Sequence, residues 1–237
     1  MSDLAWLSYS LQDFLMFGPE VFLRLFARIN QDLWPWQLLV VPLSLIVPWM
    51  AGRPEIVWRR LALVIVAAAW ILSGGGFLVN YFGEINWPAV WIGWAFTVQG
   101  GLLAALAVTR GCPRLSIGRT GWFAAFWLAA VVLLPWLTVV QSGEPTTLAL
   151  FGLSPGVTVA ASVLLVGGFG RATFWLLLPV PITWVLFSTA TYWALQTQWL
   201  LLLPLATLAS LVAGVWLSPR PVQSPGPQSA HHGPVRR

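Results

Sequence analysis

Charge is what this sequence has least of. Only 8% of its 237 residues are Asp, Glu, Lys or Arg, while 58% are hydrophobic; an ordinary soluble domain carries about 25% charged residues. A chain of this composition cannot hide its apolar surface from water, which excludes an ordinary soluble domain. Lysine is missing altogether, since all twelve basic residues are arginines scattered singly or in adjacent pairs between and after the apolar runs. They form no basic patch interleaved with aromatics. The net charge of +5 therefore points to no nucleic-acid partner and serves better as a marker of topology. A single cysteine, Cys112, excludes an intramolecular disulfide and any multi-cysteine metal or iron–sulfur site. The only histidines, His231 and His232, sit near the C-terminus, so no imidazole is available inside an apolar run to ligate haem. There is no Ser-His-acid set, no HExxH and no phosphate-binding glycine loop, because Ser73-Gly74-Gly75-Gly76 lies within an apolar stretch. That triple glycine suits close helix contact or a bend. Neither enzymatic chemistry nor a cofactor is expected.

What the sequence has in abundance is apolar length. Seven runs, at about 33–51, 61–82, 87–109, 121–141, 148–169, 172–195 and 199–217, are each closed by charge, Pro, Gly or amide residues. Each approaches the roughly 20 residues that a membrane-spanning helix needs. The expected fold is all-α: a polytopic transmembrane helical bundle of seven spans, with the lipid bilayer as its solvent. The run at 148–169 is the most broken, interrupted by Gly152, Ser154-Pro155-Gly156 and Gly167-Gly168, and could equally be a re-entrant segment. Residues 1–32 form an N-terminal segment, 33–217 the membrane domain, and 218–237 a Pro- and Ser-rich tail expected to be disordered. The N-terminus lacks a basic region and an uninterrupted apolar core, so no cleaved signal peptide is expected.

Charge placement tests the span count independently. Ten of the twelve arginines fall in the first, third and fifth loops and the tail, and six of the seven acids fall on the other side. Arginine collects on the cytoplasmic side. Seven spans with the N-terminus outside and the C-terminus in the cytoplasm, in a bacterial inner membrane, satisfy every loop. Eight of the seventeen tryptophans, Trp34, Trp36, Trp49, Trp58, Trp87, Trp122, Trp193 and Trp216, sit near span ends, as an interfacial belt requires. Trp91, Trp94, Trp175 and Trp184 lie deeper and could pack, face lipid or line a cavity.

The most patterned stretch precedes the first span. Glu20, Arg24, Arg28 and Asp32 recur every four residues, opposite Phe22, Leu23, Leu25, Phe26 and Ile29. This is an amphipathic helix from Pro19 to about Asp32, expected to lie in the membrane interface before Trp34-Pro35-Trp36 turns the chain into the bilayer. Its i,i+4 ion pairs contribute only about 0.2–0.5 kcal/mol each.

No Asp, Glu, Lys, Arg or His occurs inside the seven runs, so an ion-coupled carrier has no titrating group to use. The remaining polarity is neutral. Asn80, Gln99, Ser188, Thr189 and Thr191 must face protein or water, either as interhelical hydrogen-bond partners or as the lining of a solute path. Thr158 belongs with them, and Asn30, Gln37 and Asn86 sit where the N-terminal helix and the 84–86 loop share one surface. Proline at 42, 48, 135, 179, 181 and 204 is expected to kink helices and free backbone carbonyls.

The spacing Phe22-x3-Phe26-x3-Asn30-x3-Trp34-Pro35-x-Gln37, with Ile85-Asn86, Gln99, Phe151-Gly152-Leu153, Pro155 and Thr158 downstream, resembles the bacterial membrane proteins grouped as domain of unknown function 6064. The last hairpin, 175–198, is similar too. Ile29 and Gly156-Val157 depart from the pattern. The resemblance implies fold and membrane location and no activity. The functional expectation is a non-catalytic accessory or scaffold protein working with other membrane subunits. The alternative is a permease or channel for a small neutral or lipophilic solute.

Overall fold

Helices dominate the computed structural model, which describes residues 17–113, 117–166, 168–169 and 171–217 and has no strand among them. The expected disordered tail, 218–237, falls outside the described residues, as does 1–16. Five helical stretches are long and apolar enough to cross a membrane: Ile56–Glu84, Trp87–Thr109, Thr120–Ser142, Ala172–Ala194 and Gln198–Trp216. They coincide with five of the seven apolar runs. The first comprises α3 (Ile56–Ile71) and a π-helical continuation (Leu72–Val79), followed by α4 (Trp87–Thr109). Next come α5 (Ile117–Leu133) and α6 (Trp136–Ser142), broken at Pro135, and then α8 (Arg171–Leu177) and α9 (Pro179–Ala194), broken at Leu178. The last is α10 (Leu202–Leu217).

The other two runs depart from the expectation of full-length helices. The run at 33–51 becomes α2 (Gln37–Ala51), 15 residues long, set at 102° to α1 (Pro19–Asp32). Counting this bent pair as one span gives six membrane-length elements at most. Pro35 is responsible for the separation, because it disfavours helix at Trp34 and so stops α1 before α2 starts. The run at 148–169 holds only α7 (Pro155–Val166), 12 residues, which at about 1.5 Å per residue covers about 18 Å of a hydrocarbon core about 30 Å thick. Ahead of it, Gly152 adopts φ +83°, a left-handed conformation that glycine takes without steric penalty. Pro155 then opens the helix at a position where its missing N–H has no partner to lose.

The short α7 is the core of the molecule. All twelve of its residues are buried, against α3, the π-helical segment, α5, α8, α9 and α10. The chain on either side of it meets different parts of the fold. On one side Asn30 Nδ2 donates to the carbonyl of Leu148 (2.9 Å). On the other, Gly168 packs on Pro113, where an added Cβ would come within 2.6 Å of the Pro113 Cβ, and Arg110 Nη1 reaches Thr173 Oγ1 at 3.3 Å. α2 runs the same course, from Gln37 beside Asn30 to Gly52 beside Thr120. One end of the bundle therefore carries α1 with Glu84 and the 144–148 loop, and the other carries the Arg53 to Arg60 turn and the Arg110 to Pro113 turn.

Glycine sets the tightest helix contact. An added Cβ at Gly74 would lie 2.5 Å from the Gly93 carbonyl oxygen, and one at Gly100 would lie 2.6 Å from Ile71 Cγ1. The triple-glycine stretch therefore does permit close approach, on a π-helical turn.

α1 keeps the expected bounds, and its apolar face is the expected one, but that face does not rest in lipid. Phe22, Leu23, Leu25, Phe26 and Ile29 are buried in protein. The Phe22 ring meets Phe82 at 5.2 Å and Tyr192 at 5.9 Å, and the Phe26 ring stacks on Phe77 at 4.8 Å. The helix caps the bundle end because its face matches the aromatic surface left by the π-helical segment and α9. The eight tryptophans assigned to the belt are all exposed. Trp91, Trp94 and Trp175 face outward as well, whereas Trp184 is buried against Phe96.

Candidate functional site

Beneath α1 the sequence gathers its charges. Arg28 Nη1 donates to Glu84 Oε2 at 2.7 Å, its Nε lies 3.8 Å from Asp32 Oδ2, and its guanidinium stands 5.2 Å from the centre of the Tyr81 ring. Tyr81 in turn donates to Asp32 Oδ2 at 2.8 Å. Glu84, through its hydrogen bond and its charge, raises the pKa of Arg28 above the usual guanidinium value. This cluster ties α1 to the 81–86 turn, the two places that the sequence assigns to one surface. Arg28, Asp32 and Glu84 are about half exposed, so water screens these pairs and they position the turn more than they stabilise the fold.

Asn30 and Gln37 come together on the next side. Asn30 Nδ2 donates to the carbonyls of Thr146 and Leu148, both at 2.9 Å, and Gln37 Nε2 donates to the Asn30 carbonyl at 2.6 Å. These bonds hold α1, the start of α2 and the 144–148 loop together. Asn30 Oδ1 and Gln37 Oε1 are buried without a donor.

Two clefts flank that junction. One, of about 440 Å³, lies between α1 and the 141–147 turn and is lined by Glu20, Arg24 and Glu144. The other, of about 480 Å³, is lined by Trp34, Gln37, Leu38, Val41 and Leu150. Both touch Thr146. The ion pair anticipated between Glu20 and Arg24 does not form among the described residues, where the salt bridges are those of Arg28.

Within the bundle, polar groups serve the backbone. A proline removes the N–H that would bond the carbonyl four residues earlier; Pro181 thus orphans the Leu177 carbonyl, and Pro48 that of Ser44. Gln99 Nε2 on α4 donates to Leu177 O at 2.9 Å, and Trp127 Nε1 on α5 donates to Ser44 O at 2.8 Å. A second set surrounds α7. Thr158 Oγ1 donates to Ser154 O (2.7 Å) and accepts from Gly152 N–H (2.8 Å). With its one proton so used, Ser73 is the donor in their 2.9 Å contact. Ser162 accepts from Trp70 Nε1 at 2.8 Å and donates to Thr158 O. Left over are Gln99 Oε1 and Ser154 Oγ, both buried without partner.

The other candidate residues do not join these sets. Ser188 and Thr191 bond carbonyls of their own helix, Val185 O and Phe187 O. Thr189 and Asn80 are exposed. Asn86 stands at the start of α4 without a side-chain cap bond. No cavity described above is lined by Asn80, Gln99, Ser188, Thr189 or Thr191. Sequence reasoning missed Trp70, Trp127 and Ser73 as partners, and for Trp127 the signal was present, since Pro48 marks an orphaned carbonyl that requires a donor.

A family of unknown function, DUF6064, matches residues 19–220, from the first residue of α1 to beyond the end of α10. The chain belongs to the DUF6064 family. The matched stretch takes in the α1 cap, the α7 core and both proline-linked donors, so these are parts of a DUF6064 domain. No curated protein and no solved structure matches this DUF6064 chain.

Proposed function

We propose that this DUF6064 protein is a non-catalytic subunit of a membrane assembly, resident in the inner membrane and holding other membrane proteins through its aromatic perimeter. The observation that carries the reading is the use of its interior polarity: Gln99, Trp127, Ser73, Thr158 and Ser162 each satisfy a backbone or side-chain partner inside the fold. Buried polar groups so engaged lock helices together. Our topology has seven crossings, with the N-terminus outside and the C-terminus in the cytoplasm. Support comes from α2 and the 148–168 segment, both of which run between the acidic and the arginine-bearing ends. α1 then sits at the outer interface, flanked by exposed Trp34, Trp36 and Trp87.

A path for a small neutral solute draws less support, because Gln99 is committed to Leu177 O, Ser188 and Thr191 to their own helix, and Asn80 faces outward. The test is purification from native membranes in mild detergent, with mass spectrometry of what accompanies the chain. A membrane partner at fixed stoichiometry through two chromatographic steps is the expected result, and a solitary stable monomer overturns the reading. Liposomes of the purified protein that swell in glycerol or urea would instead establish a permease.

A further inference from the structure

α2 and α5 run antiparallel, and two contacts fix their register. At one end Gly52 faces Thr120, where an added Cβ would come within 2.9 Å of the Thr120 Cγ2. Further down, Trp127 Nε1 donates to Ser44 O at 2.8 Å; Ser44 and Gly52 stand about 12 Å apart at the helical rise. A single cleft of about 600 Å³ follows the seam over this stretch. Its walls are two stripes at helical spacing, Leu45, Pro48 and Trp49 on α2 and Gly121, Ala124 and Leu128 on α5. Leu45, Trp49 and Leu128 are exposed on the perimeter of the bundle, so the cleft opens toward hydrocarbon. Arg53, just past the end of α2, stands at its arginine-bearing end, and no described acidic residue lines it.

The cation is held in place and unspent. Its guanidinium lies 4.2 Å from the centre of the Trp49 ring, and Trp58 braces that ring edge-on at 5.2 Å. Among the described residues Arg53 has neither a carboxylate partner nor a hydrogen-bond acceptor, in contrast to Arg28 and Arg59. Stacking on an indole restrains the guanidinium plane and leaves its N–H fork free for a bidentate grip on phosphate oxygens.

We propose that this cleft binds one anionic phospholipid, with its phosphate on Arg53 and one acyl chain along the seam from Trp49 to Leu45 and Leu128. Charge selects the headgroup. One guanidinium without a carboxylate favours a lipid of net negative charge and offers the ammonium of a zwitterionic headgroup no anionic partner in the cleft. The apolar walls select an anchored phosphate over a dissolved one, because a free anion gains nothing from Leu45, Ala124 and Leu128. Such a site needs only a membrane around the bundle and stands independent of the subunit role.

Native mass spectrometry of the full-length, delipidated protein titrated with phosphatidylglycerol, phosphatidylethanolamine and phosphatidylcholine tests this. The expected result is one retained phosphatidylglycerol, at least tenfold preferred over the other two. Arg53→Gln should remove the preference. Gly121→Phe should weaken binding at least tenfold, since it fills the cleft from an exposed position with nothing within 4 Å of its Cβ direction; neither change should move thermal unfolding. Arg60→Gln, at an exposed arginine of the same end but outside the cleft, should leave binding unchanged. Should Gly121→Phe unfold, Leu128→Trp fills the lower end. Equal binding of phosphatidylcholine, an equal loss with Arg60→Gln and Arg53→Gln, or retention unchanged by Arg53→Gln or by the filling variant overturns the proposal. Displacement of the lipid by excess glycerol phosphate does so too, by marking a site for soluble phosphate, as does a photocrosslinker at Leu128 that captures protein instead of lipid in native membranes.

Discussion

At the scale of single residues, proline and the side chain that answers it form the working unit of this bundle. If Gln99 serves to satisfy the carbonyl orphaned by Pro181, Gln99→Leu destabilises by the value of an intramembrane hydrogen bond, about 0.6–1.7 kcal/mol. The loss should shrink toward zero in a Pro181→Ala background, where residue 181 regains its N–H. The double-mutant cycle, read by thermal unfolding in detergent, isolates that coupling; additive losses would refute the pairing. Cys112 permits a second residue-scale prediction. Burial pushes its thiol up to about 12, with Arg59 acting weakly in the opposite direction. A raised pKa keeps the thiol protonated as pH rises, so maleimide should label the native protein negligibly from pH 7 to pH 9 and rapidly after denaturation. Comparable labelling of native and denatured protein at pH 8 would show the site to be open. Polar residue types were legible in the sequence as interhelical partners or cavity lining, and Gln99 and Thr158 took the first role. Their partners were not legible, because a freed carbonyl reveals which backbone atom needs a donor and leaves open which of the other helices supplies it.

At the scale of elements, the helices whose apolar stretch matched a membrane thickness were readable, and the two that matched only in composition were not. Hydropathy counts α7 and its non-helical lead-in as one run, since burial in protein and burial in lipid select the same side chains. The same ambiguity explains α1, where the amphipathic pattern correctly placed Phe22 and Phe26 on one face and could not say whether lipid or Phe77 and Phe82 would cover it. The contact between the π-helical segment and α4 yields the sharpest element-scale prediction. At Gly74 the nearest atom to an added Cβ is a backbone oxygen at 2.5 Å, which no rotamer change can move. Gly74→Val should therefore destabilise by about 1–3 kcal/mol or more, as overpacked cores do. At Gly76, where nothing lies within 4 Å of the Cβ position, Gly76→Ala should be close to neutral. Equal effects at the two positions in a thermal melt would mean that the π-helical segment and α4 are not packed through Gly74.

At the scale of the whole molecule, the decisive issue is whether a core segment that never touches lipid still counts as a crossing. Positive-inside bookkeeping requires Glu144 and Arg171 on opposite sides, and helix length alone gives α7 no means to separate them. The non-helical residues ahead of α7 must make up the difference, and they include a turn in which the N–H groups of Leu153 and Ser154 donate to the Leu150 carbonyl. Non-helical backbone at that depth is tolerable only when enclosed by protein, and residues 151–166 are buried without exception. Single-cysteine variants decide the matter in intact cells: Glu144→Cys and Ala172→Cys flank the segment and are both exposed. A membrane-impermeant maleimide should label the first from outside and the second only after permeabilisation, with Glu55→Cys behaving like the second and buried Cys112 staying silent. If Glu144→Cys and Ala172→Cys label alike, α7 is a re-entrant plug, the parity of the chain changes, and its C-terminus lies outside the cell.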